Sequence, residues 1–408
     1  MADVLYISYD GLSDPLGSSQ VIPYLMVLSG KGHRIHVLSL EKRLRFEKYG
    51  SGLKEMLASQ NISWTYCFYA DAWPLLSQRK NIRSLQRQAM KIMDKEKPAI
   101  VHCRSYIAAL IGLKLKKKYG AKFLFDMRGF WPEERVEGKI WNPRNPAYRF
   151  LFRYFKKKEI EFIREADHIV TLTKAAEEDL RLRKTTPAIV NISVIPCCAD
   201  EQLFKEENVS ADEKNRWRKK LGLEKENMTM TYLGSLGTWY MLNEMLDLFK
   251  ELLQKYPSAK FLFITTDPSE RIYRLCDEKA IDRDKIITVS ASRREVPPLL
   301  SICTFSIYFI RPTYSKKASS PTKTAEILLM GRPVLTNSGI GDSDEQIRSA
   351  NCGVIVEEMA PNAYREAIEE LIPLLSLPSQ HFRDAAERLF SLQKGAEEYH
   401  RIYKGLLK

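Results

Sequence analysis

The stretch TFSIYFIRPTYSKKASSPTKTAEILLMGRPVLT, residues 304–336, decides the fold. It opens with TFSIYFI (304–310), a continuous apolar run rich in aromatic and β-branched residues. A helix-forming segment follows, and PVLT (333–336) begins a second run of the same kind. Apolar strands joined through a helix are the unit of a parallel sheet buried on both faces. Ser319 and Ser320 can cap the helix, and Pro321 suits its first position. Gly331 ends it.

The pattern extends outward in both directions. Strand-like runs read MTMTYL (228–233), AKFLFITT (259–266), KIITVS (285–290) and CGVIVE (352–357). Helical patterns lie at about 240–255, 269–280, 322–331, 361–376 and 379–407. The first half repeats the design with VLYISY (4–9), IHVLSL (35–40), AIVHC (99–103), KFLFDM (122–127), HIVTLT (168–173) and ISVIP (192–196). Its helices read at about 18–31, 79–96, 106–119, 146–165 and 174–183. The expectation is an α/β protein of two doubly wound, Rossmann-like units meeting near residue 200. The chain of 408 residues is long enough for two cores.

Composition narrows the class. With 44% hydrophobic and 28% charged residues the chain is neither disordered nor fibrous. No run of about eighteen apolar residues reads as a membrane span, and the N-terminus, MADVLYISYDG, does not read as a signal peptide. A cytoplasmic protein is expected. Seven scattered cysteines without a CxxC spacing point to reduced thiols rather than disulfides or zinc. Adjacent Cys197 and Cys198 read as part of a linker. Residues 1–200 hold 34 Lys and Arg against 21 Asp and Glu, whereas 201–408 hold 30 of each. The excess of positive charge lies wholly in the first half, which implies an anionic partner there.

In doubly wound folds ligands bind at the carboxyl ends of the strands, so chemistry is sought at strand-to-helix turns. Five turns qualify. In SYDGLSDPLGSSQ (8–20), Gly11 and Gly17 permit a tight path into a helix start that can hold an anion. AIVHCRS (99–105) ends on His102, which reads as a hydrogen-bonder, and Arg104, suited to phosphate or a sugar carboxylate. FDMRGFWPEERVEG (125–138) offers Arg128, Gly129, Trp131, Glu133, Glu134 and Arg135 in a loop. TYLGSLGTW (231–239) places Gly234, Ser235 and Gly237 where a phosphate approaches the backbone. The fifth turn is the strongest. Lys323 in the first turn of a capped helix makes a diphosphate cradle, and Glu326 one turn on can accept from ribose hydroxyls. DSD (342–344) imitates a metal motif but sits at a helix start, so no metal site is expected.

At these residues the chain resembles the retaining nucleotide-sugar glycosyltransferases of family 4, which have the GT-B fold. The resemblance covers essentially the whole chain. It rests on the PLGSSQ turn, KGHRIHVLSL (31–40), VIPCCADEQLF (194–204), YLGSLGTWYMLNEMLDLF (232–249), SSPTKTAEILLMGRPVLTNSGIGD (319–342) and FSLQKGAEEYHRIYKGLL (390–407). It implies two facing domains with a central cleft. One spans 1–197, completed by a C-terminal helix at about 390–408, and carries the acceptor. The other spans 198–389 and binds the nucleoside-diphosphate sugar. It implies donor contacts from Gly17, Gly234, Ser235, Ser292, Ser320, Pro321, Thr322, Lys323 and Glu326. Acceptor contacts fall to Arg104, Arg128, Glu134 and Arg135. Lys323 and Arg128 would stabilise the leaving diphosphate, with retention and without a metal or other cofactor.

The sequence also departs from the family pattern. Ala318 stands where many members carry a first glutamate. Ser235 and Tyr240 stand where they carry Arg and Lys, and Arg128 where they carry His. The expected function is hexosyl transfer in envelope polysaccharide synthesis, to a saccharide or polyprenyl-diphosphate-linked acceptor. Basic and aromatic residues at KLKKKYGAKF (114–123) and YRFLFRYFKKK (148–158) suggest docking on an anionic membrane surface at the inner face of the cell membrane. Two other readings are a nucleotide-sugar 2-epimerase and a nucleic-acid-binding α/β protein. The loss of an acid at Ala318 weighs against the first, and the lack of a recognition motif against the second.

Overall fold

The computed structural model describes residues 1–70, 74–187 and 190–408. The chain divides into two compact units. One comprises Met1–Cys198, Lys317–Ser319 and Leu392–Lys408; the other comprises Ala199–Lys316 and Ser320–Ser391.

The first unit is built on seven strands: β1 (Asp3–Ser8), β2 (Arg34–Glu41), β3 (Ile62–Phe68), β4 (Ile100–Arg104), β5 (Lys122–Asp126), β6 (His168–Thr171) and β7 (Ile192–Val194). All pair in parallel, in the order β3-β2-β1-β4-β5-β6-β7. The helices between them are α1 (Pro15–Gln20), α2 (Ile22–Gly30), α3 (Arg43–Ser59) and α4 (Pro74–Glu96). Then come α5 (Ser105–Tyr119), α6 (Trp131–Glu137), α7 (Pro146–Glu165) and α8 (Lys174–Leu182). Successive strand residues face opposite ways, so the sheet has two cores. Val4, Tyr6, Ile35, Val37, Ile100 and Leu124 belong to one, and Leu5, Ile7, Leu38, Leu40, Val101 and Phe125 to the other.

The second unit has six strands: β8 (Thr229–Leu233), β9 (Lys260–Ile264), β10 (Ile286–Val289), β11 (Phe305–Tyr308), β12 (Val334–Asn337) and β13 (Gly353–Val356). They too are all parallel, ordered β10-β9-β8-β11-β12-β13. The order reverses beside the first strand of each unit, which is the switch-point arrangement of a Rossmann-like sheet. Its helices are α9 (Ala211–Leu221), α10 (Leu242–Lys255), α11 (Glu270–Glu278), α12 (Val296–Ser301) and α13 (Thr322–Leu329). Three more are α14 (Ser343–Ala350), α15 (Pro361–Leu375) and α16 (Ser379–Phe390).

A last helix, α17 (Leu392–Leu406), returns to the first unit and packs on α2. Its buried residues Leu392, Ala396, Tyr399, Tyr403 and Leu406 recur at helical spacing, forming one apolar stripe.

Several elements differ from the sequence reading. The single helix expected over 18–31 is two, broken at Val21, where Pro23 removes a backbone donor from the second. The helix expected over 379–407 breaks at Ser391, whose extended backbone bridges to Ala199. Residues 131–137, read as loop, form α6, because Trp131 packs on Tyr106, Trp141 and Phe155 and draws the turn onto α7. The elements α3, β3, α9 and α12 have no counterpart in the sequence reading.

Candidate functional site

In the second unit the turn after β8 and the start of α13 come together. Gly234 has φ +123°, a backbone that favours glycine, and a Cβ there would lie 3.1 Å from Lys323 Nζ. Ser235 follows, and its carbonyl accepts from Tyr232 Oη. Helix α13 begins one residue later than the capping pattern implied. Pro321 stands at the N-cap, in an extended conformation its ring permits, and its carbonyl accepts from Thr324 N–H. Ser320 and Thr322 flank it, both partly exposed.

Lys323 is buried, and its amine has no hydrogen-bond partner among the described residues. It lies over aromatic rings instead, 3.8 Å from the centroid of Tyr240, 4.5 Å from Tyr232 and 5.5 Å from Tyr308. Burial holds the amine down at about 7, only partly offset by Glu326. Glu326 is likewise buried, and its Oε1 accepts from Arg293 Nη1 at 2.5 Å. Arg293 in turn rests over Phe204 at 4.8 Å. The sequence reading has Tyr240 only as a departure from the family pattern, and it does not single out Arg293, Tyr232 or Tyr308. Ser292, which was named, is exposed, and its backbone closes a turn with Glu295. Its neighbour Arg293 is the residue that reaches inward. In the DSD segment, Asp344 Oδ2 accepts from Gly339 N–H, a bond local to the start of α14.

In the first unit, parallel register sets Arg104 beside Asp126 at the ends of β4 and β5. Arg128, two residues on, has φ +58° and a buried guanidinium. One of its nitrogens is 3.9 Å from Asp126 Oδ1; another donates to Gln20 Oε1 at 3.3 Å and approaches Cys197 Sγ at 3.2 Å. Burial alone would raise the Asp126 carboxyl, but Arg128, His102 and Arg104 beside it outweigh that and hold it below the usual range. His102 hydrogen-bonds Tyr403 Oη at 2.7 Å through Nδ1, and burial keeps its own pKa low. Arg128 thus faces one buried carboxylate, beside which β4 sets Arg104, and the sequence reading does not single that carboxylate out.

Glu134 and Arg135 lie on α6. Glu134 stands 3.8 Å from the position of a Cβ on Gly129, and Arg135 is stacked on Trp131 at 4.9 Å. Gly17 is buried in α1, where a side chain would collide with the backbone of Gly11 and Leu12. In the same turn the N–H groups of Leu12 and Ser13 are taken by Glu41, a fully buried carboxylate from β2. The chain thus supplies an anion of its own to part of the first turn.

Two family models match this sequence. Residues 25–203 match Glycosyltransferase Family 4, and residues 213–387 match Glycosyl transferases group 1. The chain is a family 4-type glycosyltransferase. No curated protein matches the sequence of the enzyme significantly.

Solved structures share its fold. A glycosyltransferase from Rickettsia africae is 16% identical with a TM-score of 0.70, covering 100% of this chain and 99% of its own. Anabaena HepE, solved in complex with UDP and glucose, is 13% identical with a TM-score of 0.71, covering 99% and 100%. WaaG, a glycosyltransferase involved in lipopolysaccharide biosynthesis, is 15% identical with a TM-score of 0.66, covering 97% and 99%. The two Rossmann-like units of the enzyme are those of the GT-B fold.

Proposed function

We propose that the enzyme transfers a hexose from a nucleoside-diphosphate sugar, with retention and without a metal, to a saccharide or lipid-diphosphate-linked acceptor. The observation that carries this reading is the placement of Lys323. A buried amine in the first turn of α13, against the backbone at Gly234 and one turn from Glu326, suits a diphosphate followed by a ribose. The UDP bound to HepE supports a nucleotide donor. In this scheme the departing β-phosphate takes the acceptor hydroxyl's proton as that hydroxyl attacks the same face of the sugar. Lys323 and the N-terminal amides of α13 stabilise charge on the leaving group, and Arg128 serves the acceptor side.

A thermal-shift panel of nucleoside diphosphates and their sugars tests the donor. A ligand held at 100 times its Kd stabilises the fold by about 2.7 kcal/mol, which is several degrees. No shift from any member would sink the proposal. Within the site, Glu326→Ala is expected to cost about 1.5–3 kcal/mol of donor affinity, roughly 10- to 150-fold. Equal affinity in variant and parent by calorimetry would remove Glu326 from the ribose.

The acceptor reading extends to a membrane surface. Among the described residues no helix is long and apolar enough to cross one. Most lysines the sequence pointed to are engaged within the fold. Lys156 is held by Glu133 and Glu159, Lys158 and Lys117 by Glu161, and Lys116 by Asp167. The exposed stripe of α7 is instead Arg149, Phe150, Arg153, Tyr154 and Lys157, with Phe150 69% exposed. Aromatic and basic side chains on one helical face suit an anionic lipid surface, where each cation contributes about 1 kcal/mol. We place the enzyme at the cytoplasmic face of the cell membrane, in envelope polysaccharide synthesis, a setting WaaG's role supports. Replacing Arg149, Arg153 and Lys157 together by Gln is expected to weaken binding to anionic vesicles about 100-fold. Absence of binding by the parent protein at low salt would leave a soluble acceptor.

A further inference from the structure

Lys323 raises a problem of charge. A buried ammonium without an acceptor is costly, because burial removes its water and ring faces return only part of what the lost hydrogen bonds supplied. The groups facing this amine are almost all neutral. They are the phenols of Tyr232 on β8, Tyr240 in the turn that follows, and Tyr308 on β11. Burial pushes Tyr240 and Tyr308 up to about 12 and Tyr232 higher still, so none becomes a phenolate at ordinary pH. Tyr308 Oη is further tied to Thr324 Oγ1 at 2.6 Å.

The one carboxylate nearby on the same helix is Glu326, and it is bonded to Arg293. Helix α16, packed on α13, carries Arg383, paired with Glu207. The neighbouring Trp239 ring is covered by another cation, Lys316, at 3.8 Å. Tyr240, standing where a cation was expected by resemblance, is the surface against which Lys323 lies.

We propose that Lys323 is stored over these rings as an uncharged amine, and that a nucleoside diphosphate binds together with one proton, which the amine takes up from solvent. The inference rests on the reading of Lys323 as the diphosphate ligand. The tyrosine rings act as positioning residues: they stack against the amine in either protonation state and keep it at Gly234. The diphosphate supplies the anion that the pocket lacks, and the ammonium forms when that anion arrives. The lowered pKa of the amine agrees with this geometry. Affinity then falls about tenfold for each pH unit above about 7, since the protonated fraction falls by that factor.

Calorimetric titration of the full chain with UDP, and separately with GDP, at about pH 8.5 tests this. Terminal phosphates with a second pKa near 6 carry no titrating proton there. Two buffers of different ionisation enthalpy report proton uptake directly. The expected result is nearly one proton per nucleotide, falling to near zero in Lys323→Arg, whose guanidinium stays charged. Binding without proton uptake by the parent chain would overturn the stored neutral amine and leave the donor site standing. Binding of neither nucleotide would overturn the donor site and this inference together. A Lys323→Arg chain that binds and still takes up one proton would assign the uptake to another group and overturn it as well.

Discussion

Lys323→Ala is expected to lower turnover at saturating donor by about 10²–10³-fold, the usual loss when one preorganised donor to a developing oxyanion is removed. Donor affinity should fall less. The diphosphate is already charged in the ground state, so Lys323 contributes to binding, but the charge on the leaving group grows as the glycosidic bond breaks. An interaction stronger in the transition state than in the ground state appears in kcat. The amides at the start of α13 remain in the variant and limit the loss in affinity. The measurement is a comparison of kcat with nucleotide Kd. Unchanged turnover at saturation would reduce Lys323 to a binding residue.

Glu159→Ala is expected to destabilise the first unit by about 3–5 kcal/mol, as when one partner of a buried ion cluster is removed. Glu159 is 1% exposed on α7 and receives Lys156 at 2.5 Å, Arg183 at 2.6 Å and the Tyr106 hydroxyl. Its loss takes a shared partner from Lys156 and Arg183, which keep Glu133 and Asp179, and leaves a buried void beside the phenol. The phenol would lack a partner in a place where burial already pushes its pKa well up. Urea denaturation should show a lower midpoint. A loss under about 1 kcal/mol would mean that water replaces the carboxylate at little cost.

The parts legible in the sequence were those with a continuous apolar signal or a local cap. Central strands such as KFLFD, buried on both faces, read at once. Helix α3 did not, because among its seventeen residues only Gly50 and Leu57 are buried and no stripe forms. Strand β3 hid for a related reason: as an edge strand beside β2, it mixes buried Ile62 and Cys67 with exposed Ser63 and half-buried Thr65 and Tyr66. Helix α9 buries Trp217 alone and read as a charged linker.

The site divides the same way. Lys323 and Glu326 were readable because they share one turn of one helix. The rings of Tyr232, Tyr240 and Tyr308 come from two strands and a turn, and Arg293 reaches Glu326 from the loop after β10. Adjacency of that kind exists only after the sheet has formed. Asp126 escapes a sequence reading for the opposite reason, since a carboxylate closing an apolar strand looks like the strand's end and not like the counter-charge of Arg128.

The return of α17 to the first unit sets an order of events during synthesis. Tyr399 and Tyr403 lie in one core with Val4, Tyr6, Leu25 and Ile35, and Tyr399 Oη reaches Asp126 Oδ2 at 3.2 Å. When Cys198 has been made, α2 covers only part of that face of the nascent sheet, and the second unit is translated before Leu392 appears. At about 5–20 residues per second, a gap of about 190 residues lasts roughly 10–40 s. Through that interval the first unit presents an open apolar surface to chaperones and proteases. Premature termination anywhere in the second unit leaves it exposed permanently, so the quality of the first half is inspected through a helix made only after the second unit.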